Sequence, residues 1–172
     1  MKMFSGFGWL FAVLLFTHTS YAQLSIGMGG GVDIDTDATL AGLQLRMPVM
    51  GVTVGMTFDF GKGNESIDLE NESAGKREQH ITRDYNILRL TAPIGYAFAL
   101  GESGDITIMP FAAPGWYSFQ YDFSGAPSSS HVSLDLGVEA RYNIVFVNGF
   151  VGVLENHPNY GFRAGFLFTI GE

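Results

Sequence analysis

The chain has 172 residues, no cysteine, 23 glycines, 47% hydrophobic residues, a formal net charge of −8 and only 15% charged residues. A soluble domain carries about 25% charged residues, so part of this surface is read as facing something other than water. Nine basic residues against seventeen acidic ones exclude a nucleic-acid binder, whose phosphates need a Lys/Arg face. The absence of cysteine also excludes disulfides, thiolate metal sites and a Cys nucleophile.

Lys2, an apolar run over residues 7–16 and Ser20-Tyr21-Ala22 have the layout of a secretory signal peptide. Cleavage after Ala22 is expected, which divides the chain into a leader, 1–22, and one domain, 23–172. A spanning helix needs about 20 apolar residues, and His18, Thr19 and Ser20 cut this run short. No second long apolar run follows, so any membrane crossing is made by strands.

Beyond residue 22 the pattern has period two, the signature of strands with two unlike faces. Leu24, Ile26, Met28, Gly30 and Val32 alternate with Ser25, Gly27, Gly29, Gly31 and Asp33. After an acidic turn, Ala41, Leu43, Leu45 and Met47 alternate with Gly42, Gln44 and Arg46, and Pro48 is expected to end that strand. Residues 51–61 set Val52, Val54, Met56, Phe58 and Phe60 against Thr53, Gly55, Thr57 and Asp59. Residues 88–98 continue with Leu88, Leu90, Ala92, Ile94, Tyr96 and Phe98 against Arg89, Thr91, Pro93, Gly95 and Ala97. In the aromatic-rich stretch 106–123, Pro110, Pro114 and Gly115 leave the parity open and point to a bulge. Residues 131–144 alternate without an error, 145–155 form a mixed strand, and 160–171 alternate again.

That makes eight strands, several longer than the usual five or six residues. Short turns are expected at 47–50, 101–105 and 143–148, and looser polar loops at 61–80, 124–130 and 155–159. Tight turns at one end, loops at the other and an even strand count fit an all-β, eight-stranded antiparallel up-and-down transmembrane β-barrel. Which face is inside follows from the polar set. It consists of glycine, small hydroxyls and charges of both signs, and after residue 22 the only lysines are Lys62 and Lys76. Such side chains suit a crowded lumen. The apolar set is therefore expected to face lipid, with Tyr96, Tyr142 and Tyr160 toward the strand ends as interfacial anchors.

The leader, the eight alternating strands and the final segment Tyr160-Gly-Phe-Arg-Ala-Gly-Phe-Leu-Phe168 resemble the small outer-membrane β-barrel proteins of Gram-negative bacteria, the group of OmpX and the OmpA membrane domain. The resemblance implies a monomer in the outer membrane, in contact with its lipid and lipopolysaccharide and handled by the outer-membrane assembly machinery. It also implies a structural or surface-interaction role, adhesion or envelope integrity, carried by extracellular loops and an extracellular partner.

The candidate site is a lumen charge network of Arg46, Asp59, Arg89, Asp135, Glu139, Arg141 and Arg163, since buried charges are tolerable only when paired. A structural plug is the expected role, and a narrow channel the alternative. Asp33, Asp35 and Asp37 open like a calcium loop, but Ala38 replaces the required Gly and Gln44 the required Glu, so a solvated turn is expected. The segment 63–79 is expected to be a mobile acidic loop.

His80, His131 and His157 fall near the loop end, yet no Ser, His and acid converge. His131 and Ser133 share the expected lumen face, away from lipid. No catalytic, cofactor or metal residue is assigned. The two remaining alternatives are a lipid A-modifying enzyme and a soluble periplasmic ligand barrel.

Overall fold

A computed structural model describes residues 23–34, 36–69, 79–101, 105–121, 128–154 and 157–170. The proposed leader, Asp35 and the loop residues 70–78 and 122–127 lie outside the described residues. The described chain is all strand and turn: β1 Leu24–Asp33, β2 Ala38–Val49, β3 Val52–Leu69, β4 Gln79–Thr91, β5 Ile94–Gly95, β6 Phe98–Leu100, β7 Ile106–Tyr121, β8 Ser129–Tyr142, β9 Val145–Leu154 and β10 His157–Ile170. All pairings are antiparallel, in the order β2-β1-β10-β9-β8-β7-β4-β3, and β2 pairs with β3 to close the ring. β4, β5 and β6 are three pieces of one stave, each paired with β7, so the barrel has eight staves. β1 and β10 pair from Leu24↔Ile170 to Asp33↔Gly161, which brings the start of β1 and the end of β10 to the short-turn mouth.

Side-chain parity decides the two walls. On β3, Thr57 and Asp59 are buried inward while Phe58 and Phe60 are exposed outward. On β8, Leu134, Leu136 and Val138 are outward and Ser133, Asp135 and Glu139 inward. The outer wall carries Tyr96, Tyr142 and Tyr160 as expected, all exposed. The β2–β3 turn is the two-residue pair Met50-Gly51, both with positive φ (51° and 84°), a combination that matches the twist of hairpin strands.

Several boundaries differ from the sequence expectation. β2 continues through Pro48 to Val49, with Pro48 opposite Thr53. β3 runs to Leu69 and β4 starts at Gln79, so most of the loop expected over 61–80 is ladder. Residues 157–159 belong to β10, leaving only 155–156 between β9 and β10. β7 has no bulge toward β8, since its register advances one for one from Ile106↔Tyr142 to Phe119↔Ser129. The prolines act on the other side: the β4–β5–β6 stave is interrupted at 92–93 and 96–97, where the amides of Ala92 and Tyr96 donate to the carbonyls of Pro114 and Pro110. Proline cannot donate to a ladder, so a broken partner stave accommodates it.

Candidate functional site: the charged lumen

Among the described residues, three ion pairs cross the middle of the lumen. Arg46 Nη2 donates to Glu139 Oε2 at 3.1 Å, Arg89 Nη2 to Asp135 Oδ2 at 2.5 Å, and Arg163 Nη2 to Asp59 Oδ1 at 2.5 Å. Asp59 and Asp135 are 0% exposed, so each carboxylate has exchanged water for a guanidinium. Small inward residues make room. A Cβ at Gly42 would run into the Phe58 carbonyl and the Asp59 carboxylate, and one at Gly55 would press on Arg46.

Neutral neighbours complete the network. Gln44 Oε1 accepts from Arg46 Nη2 at 3.3 Å, and Asn148 Nδ2 donates to Glu139 Oε2 at 3.3 Å. The Arg89 guanidinium lies 4.2 Å from the Phe150 ring centroid and 5.2 Å from that of Tyr117, a cation–π seat that desolvation strengthens. The network therefore includes six of the seven residues expected from sequence. Arg141 stands apart: half-exposed near the short-turn mouth, it donates to the Asn143 carbonyl at 2.7 Å and to Thr169 Oγ1 at 3.1 Å. Sequence reasoning missed Gln44, Asn148 and the aromatic seat of Arg89. The inward parity of Gln44 and Asn148 was the available signal.

Above the ion pairs, toward the loop end, the lumen is closed by aromatic and aliphatic side chains. Tyr85, Tyr117 and Phe119 are buried with Leu40 and Ile87, and the Tyr85–Phe119 and Tyr117–Phe119 ring centroids lie 5.6 and 6.2 Å apart. Asn159 Nδ2 donates to Tyr117 Oη at 2.8 Å, and Tyr85 Oη donates to the Thr36 carbonyl. Below the ion pairs, the short-turn mouth opens into a cavity of about 370 Å³.

Asp33 is no part of a solvated turn. It is 1% exposed, points inward from the end of β1, and accepts from the Thr36 amide at 3.3 Å. Asp37 is exposed with φ 47°, and Asp35 lies outside the described residues. Among the described residues no three His, Cys, Asp or Glu side chains gather to hold a metal. His131 and Ser133 do share the lumen face, with His131 edge-on to Phe119 at 5.5 Å. The side chains of His80 and His157, like Glu155, lie outside the described residues.

No protein-family model and no curated protein matches the chain. Among solved structures, it is similar to a major outer membrane protein from Thermus thermophilus, with a TM-score of 0.60 and 14% identity over 88% of this chain and 100% of that one. It is also similar to Neisserial surface protein A, with a TM-score of 0.56 and 9% identity over 87% and 96% of the two chains. The fold is that of the small eight-stranded outer-membrane barrels. An outer-membrane barrel turns its apolar side chains to hydrocarbon, and here Phe58, Leu136 and Phe166 are 44%, 54% and 48% exposed on the outside, as an outer-membrane location requires.

Proposed function

We propose that this outer-membrane barrel is a monomeric surface-interaction protein, of the adhesive or envelope-integrity kind, working through the β3–β4 hairpin. The observation that carries the reading is where the ladders stop. β2 leaves β3 at Ala38↔Gly63, and β7 leaves β4 at Tyr85↔Tyr121. Beyond those points β3 and β4 pair only with each other among the described residues, from Asn64↔Asp84 to Leu69↔Gln79. Six paired positions at about 3.4 Å each make a ribbon that extends about 20 Å along its strands beyond the last pairing with β2 and β7. Among the described residues no strand pairs with either of its outer edges, so an extended segment of a partner can add there as a strand through the backbone N–H and C=O groups.

Longer loops face the cell exterior in barrels of this type, so the ribbon is read as extracellular. Its sequence is acidic, with Glu65, Asp68, Glu70, Glu72, Glu78 and Asp84 against Lys76, Arg77 and Arg83, which favours a basic partner and salt-sensitive capture. The same reading includes removal of residues 1–22, passage through the outer-membrane assembly machinery and contact with lipopolysaccharide. It is non-enzymatic, supported by His131 and Ser133 turning into the lumen, away from lipid.

The test replaces residues 66–82 by a two-residue Asn-Gly turn and compares cells carrying either form for adhesion to immobilised basic peptide and host matrix. Adhesion should fall to the level of cells lacking the protein, while the shortened barrel still fractionates with the outer membrane and shifts in gel mobility on boiling. Unchanged adhesion with an intact barrel would sink the proposal.

A further inference from the structure

The cavity at the short-turn mouth lies at the opposite end from the ribbon and has an unusual charge arrangement. Thr107 and Arg141 are directly paired across β7 and β8, and the Asn143 amide donates to the Asp105 carbonyl at 3.3 Å, so Asp105 lies two residues beyond the Thr107–Arg141 pair, on the same wall. Both side chains line the cavity, yet no ion pair joins them among the described residues. The Arg141 guanidinium commits Nε to Asn143 and Nη2 to Thr169, which fixes its plane and leaves Nη1 with no described acceptor.

Deeper in, the cavity ends on the Arg46–Glu139 pair, whose charges already neutralise each other, and on Met109 and Leu167. A pinned cation and a neighbouring carboxylate with no ion pair among the described residues thus face one small space lined by hydroxyls, whose floor is a neutralised ion pair and two apolar side chains. At about 370 Å³ the space is at the small end of ligand pockets, which span roughly 300–1,000 Å³.

We infer that this mouth is a binding site for a small zwitterion, an amino acid or dipeptide, with its carboxylate on Arg141 and its ammonium on Asp105. A guanidinium fork suits a planar carboxylate. A simple anion would be repelled by Asp105 and a simple cation by Arg141, so each charge selects against a ligand lacking the other. The site would be loaded from the periplasmic side, where the short turns lie.

The experiment uses the full chain, isotope-labelled, recovered from the outer membrane of expressing cells and placed in phospholipid nanodiscs. Amide shifts are followed on titration with diglycine, with acetate and with ethylammonium. Diglycine should give saturable shifts at Thr107, Asn143 and Thr169, and acetate and ethylammonium shifts at least tenfold weaker in apparent affinity. Arg141→Gln and Asp105→Asn should each weaken diglycine tenfold or more. Both side chains are at least partly exposed, and a heat-dependent mobility shift verifies that each variant has folded. Three results overturn the inference: no saturation by about 50 mM, well above the millimolar affinity expected of so small a ligand; acetate binding as tightly as diglycine; or diglycine binding unmoved by both substitutions.

Discussion

Phe58 and Asp59 are adjacent in β3 and occupy different solvents. Phe58 is 44% exposed on the outer wall, and Asp59 is 0% exposed inside, bridged to Arg163. In a water-soluble barrel the pair would be reversed, the ring within and the acid outside. Here hydrocarbon accepts the ring at no cost, while the charge must find all its partners inside the protein. The outer wall is therefore bound by polarity but tolerant of shape, and the inner wall is bound by both.

The largest expected effect comes from breaking an inner pair. Asp135→Ala leaves the Arg89 guanidinium buried without its carboxylate, which should cost about 3–5 kcal/mol. Urea unfolding of the barrel in phospholipid bilayers measures it, and a cost near zero would mean the charges do not hold the lumen together. Next is the outer wall. Phe58→Arg places a guanidinium in hydrocarbon and should cost about 2–4 kcal/mol by the same assay, the value expected near the bilayer midplane. Were Phe58 facing water, the substitution would be nearly neutral.

The finest comparison is between two glycines. Gly42 is inward, where a side chain meets the Phe58 carbonyl and the Asp59 carboxylate, whereas Gly149 is outward and a Cβ there meets nothing. Gly42→Val should destabilise by about 1–3 kcal/mol through overpacking, and Gly149→Ala should stay within about 0.5 kcal/mol of the parent. Equal effects at the two sites would erase the distinction between the walls.

Much of this is legible in the sequence. The unbroken alternation of residues 131–144 announced both faces of β8, and glycine-and-charge on one face announced a lumen. The ribbon was less visible because the reader of a sequence looks for apolar alternation, and Asn64 to Asp68 offers mainly polar residues whose ladder is held by backbone bonds. Pro110 and Pro114 point to a bulge in β7, yet the irregularity falls on the β4–β5–β6 stave, because a proline has no amide to donate and the gap opens in the neighbouring ladder. Asp33 looked solvated beside Asp35 and Asp37, but parity turns it inward from the last position of β1.

By itself the sequence determined which side chains share a wall, because the pleat repeats every two residues whatever the strand pairs with. Only closure of the barrel decided which charge meets which. Arg163 finds Asp59 and Arg46 finds Glu139 across 104 and 93 residues of chain. Those partners are set by register and curvature around the ring, and no local pattern encodes them. The same closure gathers Asp105 and Arg141 at one mouth and, at the other, leaves the β3–β4 ribbon paired only with itself among the described residues.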